Sequence, residues 1–143
     1  MLVFHQLRIE QKLIPLNLVD PGKIKRIRGI AYAMRVAPTI CNRLVETAKG
    51  ILLKFLPDVY IVTDHQKSAT AGKSPAFGLT LVAETINGTF LCAEACSQPR
   101  GESNEPNVPE DIATKAAHLL LEEIYRVIGF SILRSLYSNL LYQ

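Results

Sequence analysis

The sequence predicts an α+β fold in which helices pack on a mixed sheet built in the order β-α-β-β-β. One segment alternates large and small residues with a period of two, which is typical of a strand. The next segment places apolar residues three and four apart, which is typical of a helix. Two further apolar segments flank an Asn-Gly pair, which is typical of a hairpin. With 143 residues, of which 48% are hydrophobic, the chain can form one compact domain with its own core.

The first strand is predicted from Lys23 to Val36, after the turn signal Asp20–Gly22. From Ile30 onward the even positions are large and apolar, whereas the odd positions are small except for Arg35. This pattern predicts one large and one small strand face. The turn signal also marks a predicted boundary between residues 21 and 22.

A helix is predicted after this strand, with Pro38 in its first turn and Pro57 at its end. Its apolar stripe consists of Ile40, Leu44, Ala48, Ile51, Leu52 and Phe55. The segment Val59–Val62 is predicted as the second strand. Because a strand, a helix and a strand follow one another, the two strands are expected to pair in parallel through a right-handed crossover.

Asp64–Pro75 is predicted as a polar loop, followed by a third strand at Phe77–Thr85 and a fourth at Gly88–Cys96. Asn87 and Gly88 predict a type I′ turn between them, in which both central residues have positive φ. Both faces of this hairpin are largely apolar, so the two strands are expected to lie centrally or to be covered on both sides.

The segment Ser97–Asn107 is rich in Gly, Pro, Ser, Asn and Glu, which is typical of a flexible linker. Pro109 then begins a predicted helix, with Glu110 and Asp111 at its positive end. The last residues, Val127–Gln143, are mostly apolar and compatible with a helix.

Charge is unevenly distributed along the chain. Residues 1–83 carry twelve Lys/Arg and five Asp/Glu, and residues 84–143 carry four and eight, within a net charge of +3. Between Pro21 and Val45 there is no acidic residue, and such a segment attracts RNA or an acidic protein surface. An ordinary solvated strand end is the alternative interpretation. The candidate RNA- or partner-binding residues are Lys23, Lys25, Arg26, Arg28, Arg35, Arg43 and Lys73.

No catalytic, metal or cofactor site is predicted. Gly72–Ser74 lacks the preceding glycine of a phosphate-binding loop, because that position is Lys67, and Pro75 follows at once. The cysteines at positions 41, 92 and 96 lack the paired spacing of a zinc site and are expected to be reduced core thiols. No apolar run reaches the roughly 18 residues of a membrane span, so no membrane partner is expected.

Several segments together resemble the insert domain of the RNA 3′-terminal phosphate cyclases, and most closely that of the family's cyclase-like branch. Pro21–Tyr32 (PGKIKRIRGIAY) resembles the opening of that domain. Gly72–Thr85 (GKSPAFGLTLVAET) and Gly88–Leu91 resemble its hairpin. Pro109–Asp111 and Leu120–Tyr125 resemble the helix where the chain returns to the large domain.

The resemblance implies a division of the chain. Residues 22–97 would form the insert domain, between the end of a large-domain strand with its linker (1–21) and a flexible linker (98–108). Residues 109–126 would be the large-domain return helix, and residues 127–143 a divergent apolar tail.

The resemblance also implies a function in ribosome biogenesis. The cyclase-like branch is associated with the nucleus and nucleolus, with the small-subunit processome and with 18S rRNA maturation. Pre-rRNA and a ribosome-biogenesis GTPase are its expected partners, and neither a cofactor nor a small-molecule substrate is expected. Cyclase activity is not expected of that branch.

Two alternatives to a binding module follow from the same resemblance. The chain can be an inactive part of an RNA-processing enzyme, either an rRNA endonuclease or an RNA 3′-phosphate cyclase. The nucleophilic histidine of the cyclases belongs to a family segment that is not matched here, so no residue of this chain inherits a catalytic role. The other alternative is a fragment that folds incompletely and exposes its apolar tail.

Overall fold

A computed structural model describes residues 20–67, 72–98 and 107–141, with side chains described through position 129. The elements are β1 (Ile24–Met34), α1 (Thr39–Leu52), β2 (Val59–Gln66), β3 (Ala76–Thr85), β4 (Phe90–Cys96) and α2 (Pro109–Leu141). They confirm the predicted α+β class and the β-α-β-β-β order. Residues 1–19, which include most of the predicted first division, lie outside the described residues, as do 99–106 of the predicted linker.

The four strands form one mixed sheet in the order β2-β1-β3-β4. β1 pairs in parallel with β2, as predicted, and Ile30 is opposite Val62. On its other side β1 pairs antiparallel with β3, which in turn pairs antiparallel with β4. The first of the described strands is therefore an interior strand of the sheet.

The core lies between the sheet and the two helices, and β1 contributes its small face to it. Ala31 and Ala33 are fully buried and Ile27 is 1% exposed, whereas Ile30 on the large face is 48% exposed. Small side chains allow the helix layer to approach the strand closely, which explains why the small face is the buried one. The helix α1 contributes Cys41, Leu44, Ala48 and Leu52 to the core.

The cysteines do not share one environment. Cys41 is a buried core thiol, and its burial raises the pKa of that thiol. Cys92 and Cys96 are exposed, so their prediction as core thiols was wrong. They occupy outward-facing positions of β4, whose core-facing residue Ala95 is buried. All three cysteines are free.

The first helix ends earlier than its apolar stripe predicts. Regular helix stops at Leu52, and Phe55 is 66% exposed. The chain turns through Leu56, whose amide donates to the Leu52 carbonyl at 3.1 Å, and then enters β2. A proline at position 57 disfavours helical geometry at the residue before it, which brings the helix end forward.

The second strand extends beyond its predicted end. Asp64–Gln66, predicted as loop, continue the parallel ladder until Gln66 is opposite Met34. β2 is an edge strand, and the side chains of Asp64 and Gln66 at its end are exposed to solvent. Polar side chains are tolerated there because they stay hydrated. This explains why the polar composition of the segment was misleading. Residues 68–71 of the predicted loop lie outside the described residues.

The hairpin between β3 and β4 has a three-residue loop rather than the predicted type I′ turn. Gly88 has φ +82°, but Asn87 does not have positive φ. The Gly88 amide donates to the Thr85 carbonyl at 3.1 Å, and the Thr85 amide donates to the Thr89 carbonyl at 2.9 Å. This is the pattern of a type I turn followed by a left-handed glycine. β3 lies inside the sheet as expected, whereas β4 is an edge strand, so the expectation for β4 was wrong.

The long helix α2 packs on α1, β3 and β4 and completes the core. It begins at Pro109, as predicted, and buries Ala113, Ala116, Ala117 and Leu120. Where the chain enters it, Gln98 and Asn107 exchange two hydrogen bonds of 2.9 Å. No helix in the described part of the chain is long and apolar enough to cross a membrane.

Candidate contact surfaces

A β-bulge brings two of the candidate basic residues to one carboxylate. The register between β1 and β3 shifts between Ile24 and Arg26, so that Lys25 is the extra residue. Arg26 donates a hydrogen bond to Glu84, whose side chain is 18% exposed. The Lys25 Nζ atom lies 3.7 Å from the other Glu84 oxygen. The hydrogen bond from Arg26 holds the pKa of Glu84 below its usual value.

Arg28 forms a two-pronged ion pair. Its Nη1 and Nη2 atoms donate to Asp58 at 2.7 and 3.2 Å, and Nη1 also donates to the Ile27 carbonyl at 2.9 Å. The hydrogen bond to Asp58 raises the pKa of Arg28, and the same bond lowers the pKa of Asp58. The pair joins β1 to the segment that enters β2.

Arg43 links the two helices. Its Nε and Nη2 atoms donate to the two carboxylate oxygens of Glu110 at 2.6 and 2.7 Å. This bond is the main cause of the lowered pKa of Glu110, and a backbone hydrogen bond adds to it. Four of the seven predicted contact residues therefore lie within salt-bridge distance of carboxylates that come from later parts of the sequence.

The other three candidate residues are exposed and lie at opposite ends of the sheet. Lys23 lies beside the hairpin, and its carbonyl accepts a hydrogen bond from Ile86 at 2.9 Å. Arg35 follows the last residue of β1, and Lys73 precedes β3 at the same end. Among the described residues, none of these three side chains forms a salt bridge.

Sequence reasoning missed a third basic residue at the end where Arg35 and Lys73 lie. Lys67 follows β2, and the Arg35 amide donates to the neighbouring Gln66 carbonyl at 3.0 Å. The parallel pairing of β1 and β2 was the available signal, because parallel strands end at the same edge of a sheet. Among the described residues, Lys25, Arg26 and Arg28 near the beginning of β1 form ion pairs, whereas the basic residues near its end do not.

The sheet face opposite the helices carries an apolar patch. Tyr60 is 59% exposed and Val62 41% exposed, and they flank Ile30 on the neighbouring strand. Together with Val82 they line a shallow open depression of about 300 Å³. Phe90 is also exposed on β4. We call this surface the open sheet face.

Tyr32 closes one part of the open sheet face. Its hydroxyl donates to Glu94 at 3.1 Å, and its ring lies against Gly78 of β3. Partial burial, followed by the bond to Glu94, raises the pKa of Tyr32 to about 12. Because its exposed residues are mainly aromatic and aliphatic and Arg28 at its border is engaged by Asp58, this face is better suited to an apolar protein surface than to a phosphate backbone. In the described ranges, no group of three or more His, Cys, Asp or Glu side chains is arranged to hold a metal ion.

Comparison with known proteins assigns most of the chain to one family. Residues 19–125 match the family model described as RNA 3′-terminal phosphate cyclase, insert domain. The chain is 56% identical over 124 residues to the RNA 3′-terminal phosphate cyclase-like protein of Bos taurus, covering 87% of this chain and 33% of that protein. It is 57% identical over 118 residues to the Homo sapiens protein of the same name, covering 82% and 31%.

A more distant relative has a name that states a process. The chain is 46% identical over 116 residues to the rRNA processing protein rcl1 of Schizosaccharomyces pombe, covering 81% of this chain and 30% of that protein. The chain spans about a third of the length of the curated relatives it matches.

Proposed function

Because the chain belongs to the RNA 3′-terminal phosphate cyclase family, through that family's insert domain, we propose that it acts in rRNA processing as a non-catalytic binding module. The observation that carries this proposal is the similarity to the Schizosaccharomyces pombe protein named for rRNA processing. In this role the module contacts pre-rRNA and at least one protein of the processing machinery. Its activity is nuclear.

The family resemblance supplies the finer features of the proposal. The chain acts in the nucleolus, within the small-subunit processome, on the pathway to 18S rRNA. A ribosome-biogenesis GTPase is its expected protein partner. The open sheet face supports a protein contact, because Ile30, Tyr60 and Val62 are exposed side by side. Interface centres are commonly built from such aromatic and aliphatic residues.

A test in cells addresses the RNA partner. The tagged chain is crosslinked to RNA with ultraviolet light, purified under denaturing conditions and its bound RNA sequenced. We expect enrichment of small-subunit pre-rRNA over messenger RNA, relative to the tag alone. Recovery of RNA in proportion to its cellular abundance would contradict the proposed function.

The alternative that activity of this chain can test is catalysis by the chain itself, as an rRNA endonuclease or an RNA 3′-phosphate cyclase. Incubation of the purified chain with ATP and a pre-rRNA fragment that ends in a 3′-phosphate distinguishes catalysis from binding alone. We expect the 3′ end to stay unchanged and the RNA to remain intact. Formation of a cyclic phosphate end, or cleavage at a defined pre-rRNA position, would favour the enzyme.

A further inference from the structure

Three chain connections bring basic side chains to one end of the sheet. Met34 at the end of β1 is opposite Gln66 at the end of β2 and opposite Ala76 at the beginning of β3. The residues just beyond these positions therefore lie at the same end. They include Arg35 and Lys67, which directly follow their strands, and Lys73 before β3. We call this group the basic sheet end.

The electrostatic balance of the basic sheet end favours an anion. Its three side chains form no salt bridge among the described residues, in contrast to Arg26, Arg28 and Arg43. The acidic residue nearest to it along β2 is Asp64, which is opposite Tyr32. His65 is held by the Val36 carbonyl, 3.0 Å from its Nε2 atom. Among the described residues, the basic sheet end therefore combines three basic side chains, and the nearest carboxylate along β2 is that of Asp64.

The adjacent beginning of α1 has the same sign. The first turn of α1 contains no acidic residue, and Pro38 at the N-cap position has no side chain that can accept a hydrogen bond. The macrodipole of α1, which begins at Thr39, adds partial positive charge at this end of the helix. This contribution supplements the three side chains and does not define the site alone.

Arg35 occupies an uncommon backbone conformation at this end. Its φ of +56° lies in the left-handed region, where glycine, asparagine and aspartate are usual. The position joins β1 to the turn before α1, and glycine would fit it without a steric penalty. In this conformation the Arg35 amide donates to the carbonyl of Gln66, the residue before Lys67, at 3.0 Å.

The neighbouring surface indicates which kind of polyanion fits. None of the exposed large hydrophobic residues lies in 35–39, at Lys67 or in 72–75. Specific protein interfaces are usually anchored by aromatic or aliphatic side chains. Contacts with a nucleic-acid backbone require only cations and hydrogen-bond donors. The basic sheet end offers cations without apolar anchors, whereas the open sheet face offers aromatic and aliphatic side chains.

We propose that Arg35, Lys67 and Lys73 form the site that contacts the phosphate backbone of RNA. The inference rests on the proposed function and narrows it to a location. Contact through phosphates predicts binding that depends on salt and little on base sequence. It also predicts that the paired residues near the beginning of β1 contribute less to RNA binding.

Salt-dependent binding by the full chain tests the site. Affinity for a labelled oligouridine is measured by fluorescence anisotropy over about 50 to 200 mM salt, and the logarithm of the binding constant is plotted against that of the salt concentration. Each phosphate contact with a single strand contributes about 0.7 to the slope. We expect the variant R35Q/K67Q/K73Q to reduce the slope by about 2, with an unchanged circular dichroism spectrum.

A matched variant controls for net charge. K49Q/K54Q/K115Q also removes three positive charges, but from α1, the segment after it and α2. We expect this variant to change the slope by less than about 0.7. An equal reduction in both variants would overturn the site, because net charge alone would then account for binding.

Three further results separate this site from the proposed function. In the first, the control retains the slope, K25Q/R26Q reduces it and R35Q/K67Q/K73Q does not. The proposed site is then overturned, but RNA binding by the chain still stands. If the basic sheet end binds polyglutamate more tightly than oligouridine, it serves an acidic protein instead. If the wild-type chain binds no RNA in solution and recovers no pre-rRNA in cells, the proposed function is overturned as well.

Discussion

Gly78 shows how one absent side chain shapes the open sheet face. A Cβ atom at this position would lie 2.5 Å from the Tyr32 hydroxyl oxygen and 2.8 Å from the Ala95 carbonyl oxygen. The tyrosine ring can rotate away, but the carbonyl belongs to the paired backbone of β4. Glycine at position 78 therefore allows both the Tyr32 packing and the regular pairing of β3 with β4.

Replacing this glycine should destabilise the protein. We expect Gly78→Ala to lower the free energy of unfolding by about 1–3 kcal/mol, because the added methyl group forces the backbone to shift. Gly50→Ala is the matched control, since a Cβ atom there meets nothing within 4 Å. In α1 that change should instead stabilise by about 1 kcal/mol, because alanine favours the helix. Urea denaturation of both variants measures the difference, and a neutral Gly78→Ala would contradict this packing argument.

Most of the predicted contact residues were recognisable from sequence, but their pairing was not. The segment between Pro21 and Val45 contains six basic residues and no acidic one, which suggests a continuous basic surface. In the fold, Arg28, Arg26 and Arg43 form pairs with carboxylates that lie 30, 58 and 67 residues further along the chain, respectively. Sequence proximity does not report such contacts, because tertiary folding determines which carboxylate reaches each guanidinium. Lys67 was missed because it lies outside that segment and reaches the same end of the sheet only through the parallel pairing of β1 and β2.

Among the elements, β1 and the hairpin strands β3 and β4 were predicted best, from the period of two in β1 and the Asn-Gly pair in the hairpin. β1 and β3 begin and end within two residues of their predicted bounds. β2 was predicted too short because its polar end, Asp64–Gln66, is stabilised by pairing with β1 rather than by burial. The period alone could not decide which face of β1 is buried, because that depends on the helices packed against it.

The helix α2 is an integral part of the core that the sheet and α1 form. Leu120 is fully buried, whereas the neighbouring Leu119 is 37% exposed. The Arg43–Glu110 ion pair ties the beginning of α2 to α1. The predicted assignment of residues 109–126 to a larger domain stays a prediction, but the described part of that helix packs on the sheet.

Truncation of adjacent leucines tests the contribution of α2. Leu120→Ala should lower the free energy of unfolding by about 2–5 kcal/mol, because it leaves a cavity in the core. Leu119→Ala removes the same atoms from a more exposed position and should cost under about 1 kcal/mol. Chemical denaturation followed by circular dichroism measures both. Equal losses in the two variants would indicate that α2 packs differently on the sheet.

At the scale of the whole molecule, three ion pairs join distant parts of the chain. Asp58, Glu84 and Glu110 all have lowered pKa values, caused first by hydrogen bonds from Arg28, Arg26 and Arg43. A carboxylate with a lowered pKa stabilises the folded state above its unfolded pKa. That stabilisation is lost as the pH falls through the folded pKa. The ordinary values are 3.8 for Asp and 4.5 for Glu, so the loss occurs below about pH 4.5.

Acid should therefore weaken the fold through these three carboxylates. We expect the free energy of unfolding to fall steadily as the pH is lowered from about 4.5 to 2, measured by urea denaturation at each pH. The variant D58N/E84Q/E110Q should be less stable at pH 7 and show a shallower fall. Glu46→Gln, in an exposed position of α1, should retain the wild-type fall. A triple variant with an undiminished acid response would assign that response to other groups.

The strand order has a consequence for how the chain is synthesised. Among the described strands β1 is made first, yet it lies inside the sheet, between β2 and β3. Its parallel partner is complete only at Gln66 and its antiparallel partner only at Thr85. Until Gln66 has been made, both of these partners of β1 are incomplete, and until Thr85 has been made, one still is. Other strands can join an edge that lacks its partner. The charged start of β1, Lys25, Arg26 and Arg28, provides repulsion between neighbouring nascent copies during that interval.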